Sequence, residues 1–275
     1  MAVRKGKIGV FDSGFGGLSI LKEIVKKNPD YHYLYLGDTA RTPYGNRSQE
    51  SIYRFTKEAV DFLFQEGAEL VIIACNTSSA EALRKIQREH LPKAHAPHRR
   101  VLGVIVPTLE AIAESGTAKY IGILATESTV RSGTFPEEMK KFAPRVKVFQ
   151  QAAPLLVPLV EAGEHESKAG HMILEEYLKP LIQKKIDTLV LACTHYGHLE
   201  PMIRAKLPKH ISIISEGTIV ARKMKEYLGR HPEIEGLLSK KKKIDFYTTD
   251  LSEKFKTLGK FFFGKPIHPK RAVLG

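Results

Sequence analysis

A chain of 275 residues, 43% hydrophobic and 27% charged, has the composition of a folded globular protein and can bury the core of one large or two modest domains. No apolar run reaches the roughly 18 residues of a membrane span, the start M-A-V-R-K-G-K-I-G-V-F-D lacks an apolar signal core, and two cysteines are too few for a disulfide scaffold, so a cytoplasmic protein with free thiols is expected. The net charge of +13 suits an anionic partner, whether nucleic acid, membrane surface or small acidic substrate, although a basic solvated surface is the plainer account.

Residues 7–11 form an apolar run that predicts a buried strand, stopped by D-S-G-F-G-G at 12–17. Apolar residues at helical spacing follow over 18–25, then a strand at 33–36, the loop G-D-T-A-R-T-P-Y-G at 37–45 and a helix over 49–65. A strand over 70–74 runs into Cys75, and 78–90 is helical in pattern. Continuous β-branched runs alternating with helices predict a parallel sheet covered on both faces.

The segment P-K-A-H-A-P-H-R-R at 92–100 has two prolines and no periodicity, which marks a crossing between domains. The pattern then restarts with a strand over 101–106, a helix over 107–115 and a strand over 120–124 leading to A-T-E-S-T. A helix at 135–142, a strand at 146–149, a helix at 168–184 and a strand at 188–192 lead into Cys193. A strand at 211–214 and helices over 218–228 and 252–262 complete the pattern. An early strand ends in D-S-G or A-T-E and a later one in Cys75 or Cys193, so the halves read as a duplicated α/β unit. The densest basic run, Lys240–Lys243, has no interleaved aromatic residue and does not resemble a single-strand stacking surface. Nucleic acid is therefore not the expected partner.

Open α/β sheets bind ligands beyond the carboxyl ends of their strands. Asp12, Ser13, Cys75, Asn76, Thr77, Cys193, Thr194 and His195 all fall there. If the two units face each other, one thiol reaches a central ligand from each side. That suits removal of a proton from one face of a carbon and delivery to the other, a thiolate being the base and a thiol the acid. A single cysteine past a strand more often fills space. Two, each followed by Asn-Thr or Thr-His, favour chemistry. No C-x-x-C or H-x-x-x-H spacing suggests zinc. The glycine-rich 12–17 lacks the Lys-Ser/Thr of a P-loop and does not match G-x-G-x-x-G, though its amides suit a phosphate or a carboxylate.

Four motifs in this order, F-D-S-G-F-G-G-L-S at 11–19, G-D-T-A-R-T-P-Y-G at 37–45, A-C-N-T at 74–77 and C-T-H-Y at 193–196, resemble the glutamate racemases of the aspartate/glutamate racemase family. P-L-V-E at 158–161 and F-Y-T-T-D at 246–250 extend the resemblance to nearly the whole chain. It implies two similar three-layer α/β domains with the active site at their interface, one of residues 1–98 plus 210–275 and an inserted one of 99–209. It also implies interconversion of L- and D-glutamate without pyridoxal phosphate, metal or nucleotide, supplying D-glutamate for peptidoglycan. A homodimer is expected. Cys75 and Cys193 would be the thiols that take the α-proton from D- and L-glutamate respectively. Asp12 would assist Cys75, with His195 and Glu161 assisting Cys193. Asp12, Ser13, Tyr44, Gly45, Asn76, Thr77, Thr194 and His195 match residues that hold the substrate, whereas Asp38 lies in a matching motif without an assigned role. S-E-G at 215–217 stands where many members have D-S-G, Y-G-H-L at 196–199 replaces the commoner Y-P-L-L, and Val106 occupies a position often held by Glu. Left open are a racemase for aspartate or another amino acid, and a nucleic-acid- or protein-binding role for the basic surface.

Overall fold

The structure is a computed structural model that describes residues 5–93 and 98–275. Residues 1–4 of the N-terminal stretch and 94–97 of the expected crossing lie outside the described residues. Among the described residues ten strands follow in chain order: β1 (Lys7–Asp12), β2 (His32–Gly37), β3 (Ala68–Ile73), β4 (Arg100–Gly103), β5 (Tyr120–Ala125), β6 (Lys147–Ala152), β7 (Thr188–Ala192), β8 (Ser212–Ser215), β9 (Lys243–Thr248) and β10 (Pro269–Arg271). They form two sheets, β10-β9-β2-β1-β3-β4 and β6-β5-β7-β8, in which every pair is parallel.

The run β1 to β4 and the run β5 to β8 share one winding order. In each, the first strand is central, the second lies on one side, and the third and fourth lie on the other. The chain therefore reverses direction across the sheet between β1 and β3 and again between β5 and β7. These reversals open a crevice beyond the strand ends. Asp12 ends β1 and Cys75 follows β3; Thr126 follows β5 and Cys193 follows β7. The repeated ends of the two sequence halves thus occupy equivalent places.

Both faces of each sheet are covered. Phe11, Leu34, Leu36, Val71 and Ile73 pack beneath helix Gln49–Gln65, which turns Ile52, Ala59, Val60, Leu63 and Phe64 inward. The opposite face, Ile8, Val10, Leu70 and Ile72, shares a core with helices Gly17–Lys27 and Glu216–Arg230. That core continues through Leu124, Leu189 and Leu191 of the second sheet, so the halves are joined by apolar packing. Ile121, Ile123, Val190 and Ala192 face helices Ile105–Ser115 and Thr134–Phe142.

Several expectations shift. The divisions at 99 and 210 fall too early: β4 bonds to β3 in the first sheet, and β8 bonds to β7 in the second. By sheet membership the chain leaves after Gly103 and returns after Ser215. The expected strand over 101–106 ends at Gly103 because Ile105 already starts a helix, with Pro107 tolerated in its first turn. The expected helix 78–90 is three pieces, Asn76–Glu81, Leu83–Lys85 and a π-helical turn Ile86–His90, broken where Ala82 takes φ −119°. Short helices Glu127–Ser132 and Leu156–Ala162, and strands β9 and β10, were not legible as elements.

Candidate active site

Cys75 sits where β3 stops and a helix starts. Its backbone is still extended (φ −63°, ψ 119°), so its sulfur can turn back and accept a hydrogen bond from the Ser78 amide at 3.4 Å. Its Sγ also donates to Ser13 Oγ at 3.4 Å. Cys193, in the matching place after β7, has a different partner: its Sγ lies 4.0 Å from His195 Nδ1. His195 Nε2 is 3.1 Å from Glu161 Oε1, and Lys254 Nζ holds the other Glu161 oxygen at 3.0 Å. Phe262, from the helix Glu253–Phe263, sets its ring edge against His195 at 5.1 Å.

Asp12 connects the two sides. It is fully buried, accepts from the Gly14 amide at 2.9 Å and from Thr194 Oγ1 at 3.4 Å, and acts on Cys75 through its charge rather than through a hydrogen bond. Across the cleft, Thr77 Oγ1 and Thr126 Oγ1 are 2.8 Å apart, and the Ser128 amide donates to the Gly45 carbonyl at 2.9 Å. These contacts require glycines. A Cβ on Gly16 would lie 2.2 Å from Thr194 Oγ1, and one on Gly45 would lie 2.8 Å from Thr126 Cβ. The glycine-rich 12–17 stretch thus lets C-T-H approach closely.

Tyr44 is buried and donates to Asp38, which also accepts from Arg41 Nε at 2.7 Å and from Thr249 Oγ1 at 2.9 Å. Thr39 Oγ1 meets Thr248 Oγ1 at 2.6 Å. The F-Y-T-T-D stretch, which ends β9 and runs just past it, therefore pins the 37–45 loop, and Asp38 is the knot that orients Tyr44.

A cavity of about 300 Å³ lies between the halves. Ser13, Tyr44, Gly45, Asn76, Thr77, Thr194 and His195 line it together with both cysteines. Asp12 stands behind Thr194, and Glu161 stands behind His195. Sequence reasoning did not assign Thr126, Pro154, Leu155, Val157 or Pro158 to this wall. The matched position of A-T-E after β5 could have pointed to Thr126; the others come from helix 156–162 and its approach, which carried no strand signal.

Burial governs the electrostatics. Cys75 and Cys193 are 5% and 8% exposed, and both are free thiols. Burial pushes the Cys75 thiol up, as does the Asp12 charge, against its hydrogen bonds with Ser13 and Ser78. Burial drives Cys193 well above its ordinary value, with the His195 amide opposing and Cys75, Asp12 and Glu216 adding to the rise. Burial raises Asp12, and the His195 charge and loop amides only partly offset it. For Glu161 burial also works upward, but His195 and Lys254 prevail and hold its carboxyl low. Among the described residues no group of three or more His, Cys, Asp or Glu side chains is placed to hold a metal ion. Of the basic run, Lys240, Lys242 and Lys243 are ion-paired with Glu235, Asp30 and Asp245.

Fold and site together define a duplicated α/β protein with two thiols converging on one interfacial cavity. Residues 8–224 match the sequence profile of the Asp/Glu/Hydantoin racemase family, and the chain belongs to that family. It is 38% identical to a glutamate racemase of Aquifex aeolicus (strain VF5) over 265 residues, 96% of each chain. It superposes on the glutamate racemase of Francisella tularensis, solved with D-glutamate, with a TM-score of 0.87 at 29% identity and 98% coverage of both chains. The Bacillus anthracis glutamate racemase isoform RacE1 gives the same TM-score at 31% identity and 98% coverage of both.

Proposed function

We propose that the protein interconverts L- and D-glutamate by moving the α-proton between Cys75 and Cys193, in the manner of a glutamate racemase. The observation that carries this reading is that each half contributes one strand-end thiol to a single cavity. The identity to curated glutamate racemases across nearly the whole chain supports the substrate.

With D-glutamate bound, the Cys75 thiolate removes the α-proton and the Cys193 thiol delivers a proton to the opposite face. Cys75 then holds the proton and Cys193 is the thiolate, which is the starting state for L-glutamate. Both thiols are held neutral by burial at rest, so a thiolate needs compensation as the substrate enters. The substrate ammonium brings a positive charge near them. The Ser78 amide at the helix N-terminus and Ser13 stabilise negative charge on Cys75, while His195, oriented by Glu161 and Lys254, does so on Cys193. Asn76, Thr77, Thr194 and the Tyr44–Gly45 loop offer hydrogen bonds to the substrate carboxylates and amino group. Supply of D-glutamate for peptidoglycan, action in the cytoplasm and assembly as a homodimer belong to the same reading.

Purified protein without added cofactor should invert either enantiomer and, in D₂O, place deuterium at the α-carbon of the product. Cys75→Ser and Cys193→Ser should each abolish racemization. Variants that both retain near-normal rates would sink the two-thiol mechanism.

A further inference from the structure

Asn76 directly follows Cys75, opens the helix Asn76–Glu81 and lines the cavity, with only 2% of its surface exposed. Its carboxamide is restrained by one hydrogen bond among the described residues. Nδ2 donates to Glu216 Oε2 at 2.6 Å, and Oδ1 has no partner. Two rotamers of a terminal amide differ little in shape, so a single bond decides which way this one is turned.

Glu216 comes from the other sheet. It follows β8 directly and starts the helix Glu216–Arg230, which packs against helix Gly17–Lys27 of the first half. The contact therefore ties a cavity side chain to the place where the chain returns from the second half. The residue is 3% exposed, forms no ion pair among the described residues, and leaves Oε1 without a partner. A carboxyl so placed is costly to bury, and the Asn76 amide is the donor held closely against it, with the Thr108 hydroxyl also bearing on it.

We propose that Glu216 is a positioning residue for racemization, fixing the rotation of the Asn76 carboxamide in the substrate cavity. The inference rests on the glutamate-racemase reading. Burial pushes the Glu216 carboxyl up to about 8, against the hydrogen bonds from Asn76 and Thr108, so at neutral pH it sets the amide without putting a full negative charge beside Cys193.

The test is a double-mutant cycle on the full-length enzyme. Glu216→Ala should lower kcat/KM for glutamate roughly tenfold, the loss expected for one buried hydrogen bond that orients a substrate ligand. Glu216→Gln, whose carbonyl can accept the same bond, should recover most of it. In an Asn76→Ala background Glu216→Ala should cost less than about twofold more, because a residue acting through Asn76 has nothing left to act on. The side-chain amide protons of Asn76, followed by NMR in ligand-free protein, should be protected from exchange in the wild type and in Glu216→Gln and lose that protection in Glu216→Ala. Equal kcat/KM for Glu216→Ala and wild type, a full additional loss in the Asn76→Ala background, or unchanged amide protection would each overturn the assignment. A wild-type chain that leaves glutamate untouched removes the functional reading instead, and the NMR comparison then decides the positioning contact alone.

Discussion

Replacing Glu216 by glutamine should stabilise the protein increasingly as the pH rises. The carboxyl has an ordinary value of 4.5 and is raised to about 8 in the folded state. Below the lower value both folded and unfolded chains keep the proton, and ionisation of the carboxyl costs folding nothing. Between the two values the unfolded chain releases its proton while the folded chain retains it, so stability falls as pH rises; above the higher value the penalty levels off. Integrating that linkage gives a penalty of about 1 kcal/mol near pH 5, about 3 near pH 7 and approaching about 5 near pH 9, as order-of-magnitude figures. Glutamine keeps the shape and the acceptor but cannot ionise, so its own burial cost does not vary over this range. Urea denaturation of both proteins at the three pH values measures the difference. The chain has no tryptophan, and far-UV circular dichroism is the suitable probe. The gap between Glu216→Gln and wild type should open by several kcal/mol from acid to alkaline pH. Parallel stability curves would refute the argument that burial holds this group neutral, and a gap that closes with pH would reverse its sign.

Gly16→Ala places a methyl 2.2 Å from Thr194 Oγ1 and 2.6 Å from His195 Nδ1; it should lower kcat/KM by about 100-fold while costing roughly 1–3 kcal/mol in denaturation. Near-normal kinetics would show that the approach of C-T-H to the glycine loop is not needed. Asp38→Asn removes the charged acceptor shared by Tyr44, Arg41 and Thr249, and should lower stability by about 1–3 kcal/mol and raise KM. Unchanged stability and KM would remove its role in holding the loop. Because burial raises both thiols, their alkylation by iodoacetamide in ligand-free enzyme should keep accelerating beyond about pH 9, with Cys193 reacting more slowly than Cys75. A rate that levels off near pH 8 would contradict those raised values.

The paired strand-end cysteines were readable because chemistry at the edge of a parallel sheet needs little more than a strand, its end and a polar residue after it. Helix 49–65 and strands β1, β2, β5 and β7 were likewise fixed by strong local periodicity. What was not legible depends on contacts distant in sequence. The part played by Asp38 emerges only when Thr249, just past the end of β9, meets it. The Glu161–His195 pair spans 34 residues, and the resemblance rather than any periodicity brought Glu161 forward. S-E-G at 215–217 stood out as a departure, but its meaning rests on a contact with Asn76 across 140 residues. The boundaries between halves were displaced because sheet membership is set by pairing, and nothing in Arg100–Gly103 or Ser212–Ser215 alone says which neighbour each strand will choose.

The two thiols sit at matching ends of a repeated winding, yet one is backed by a helix terminus and a serine and the other by an imidazole held by a carboxylate. Enantiomers in water have identical free energy, so an enzyme that interconverts them must have the same kcat/KM in both directions, however unlike its two walls are. The inequality of the walls can appear only in how that common ratio is divided: a side that binds its enantiomer more tightly must turn it over proportionately more slowly. The local differences around Cys75 and Cys193 are therefore free to vary through mutation without biasing the equilibrium. They set which hand the enzyme holds at saturation.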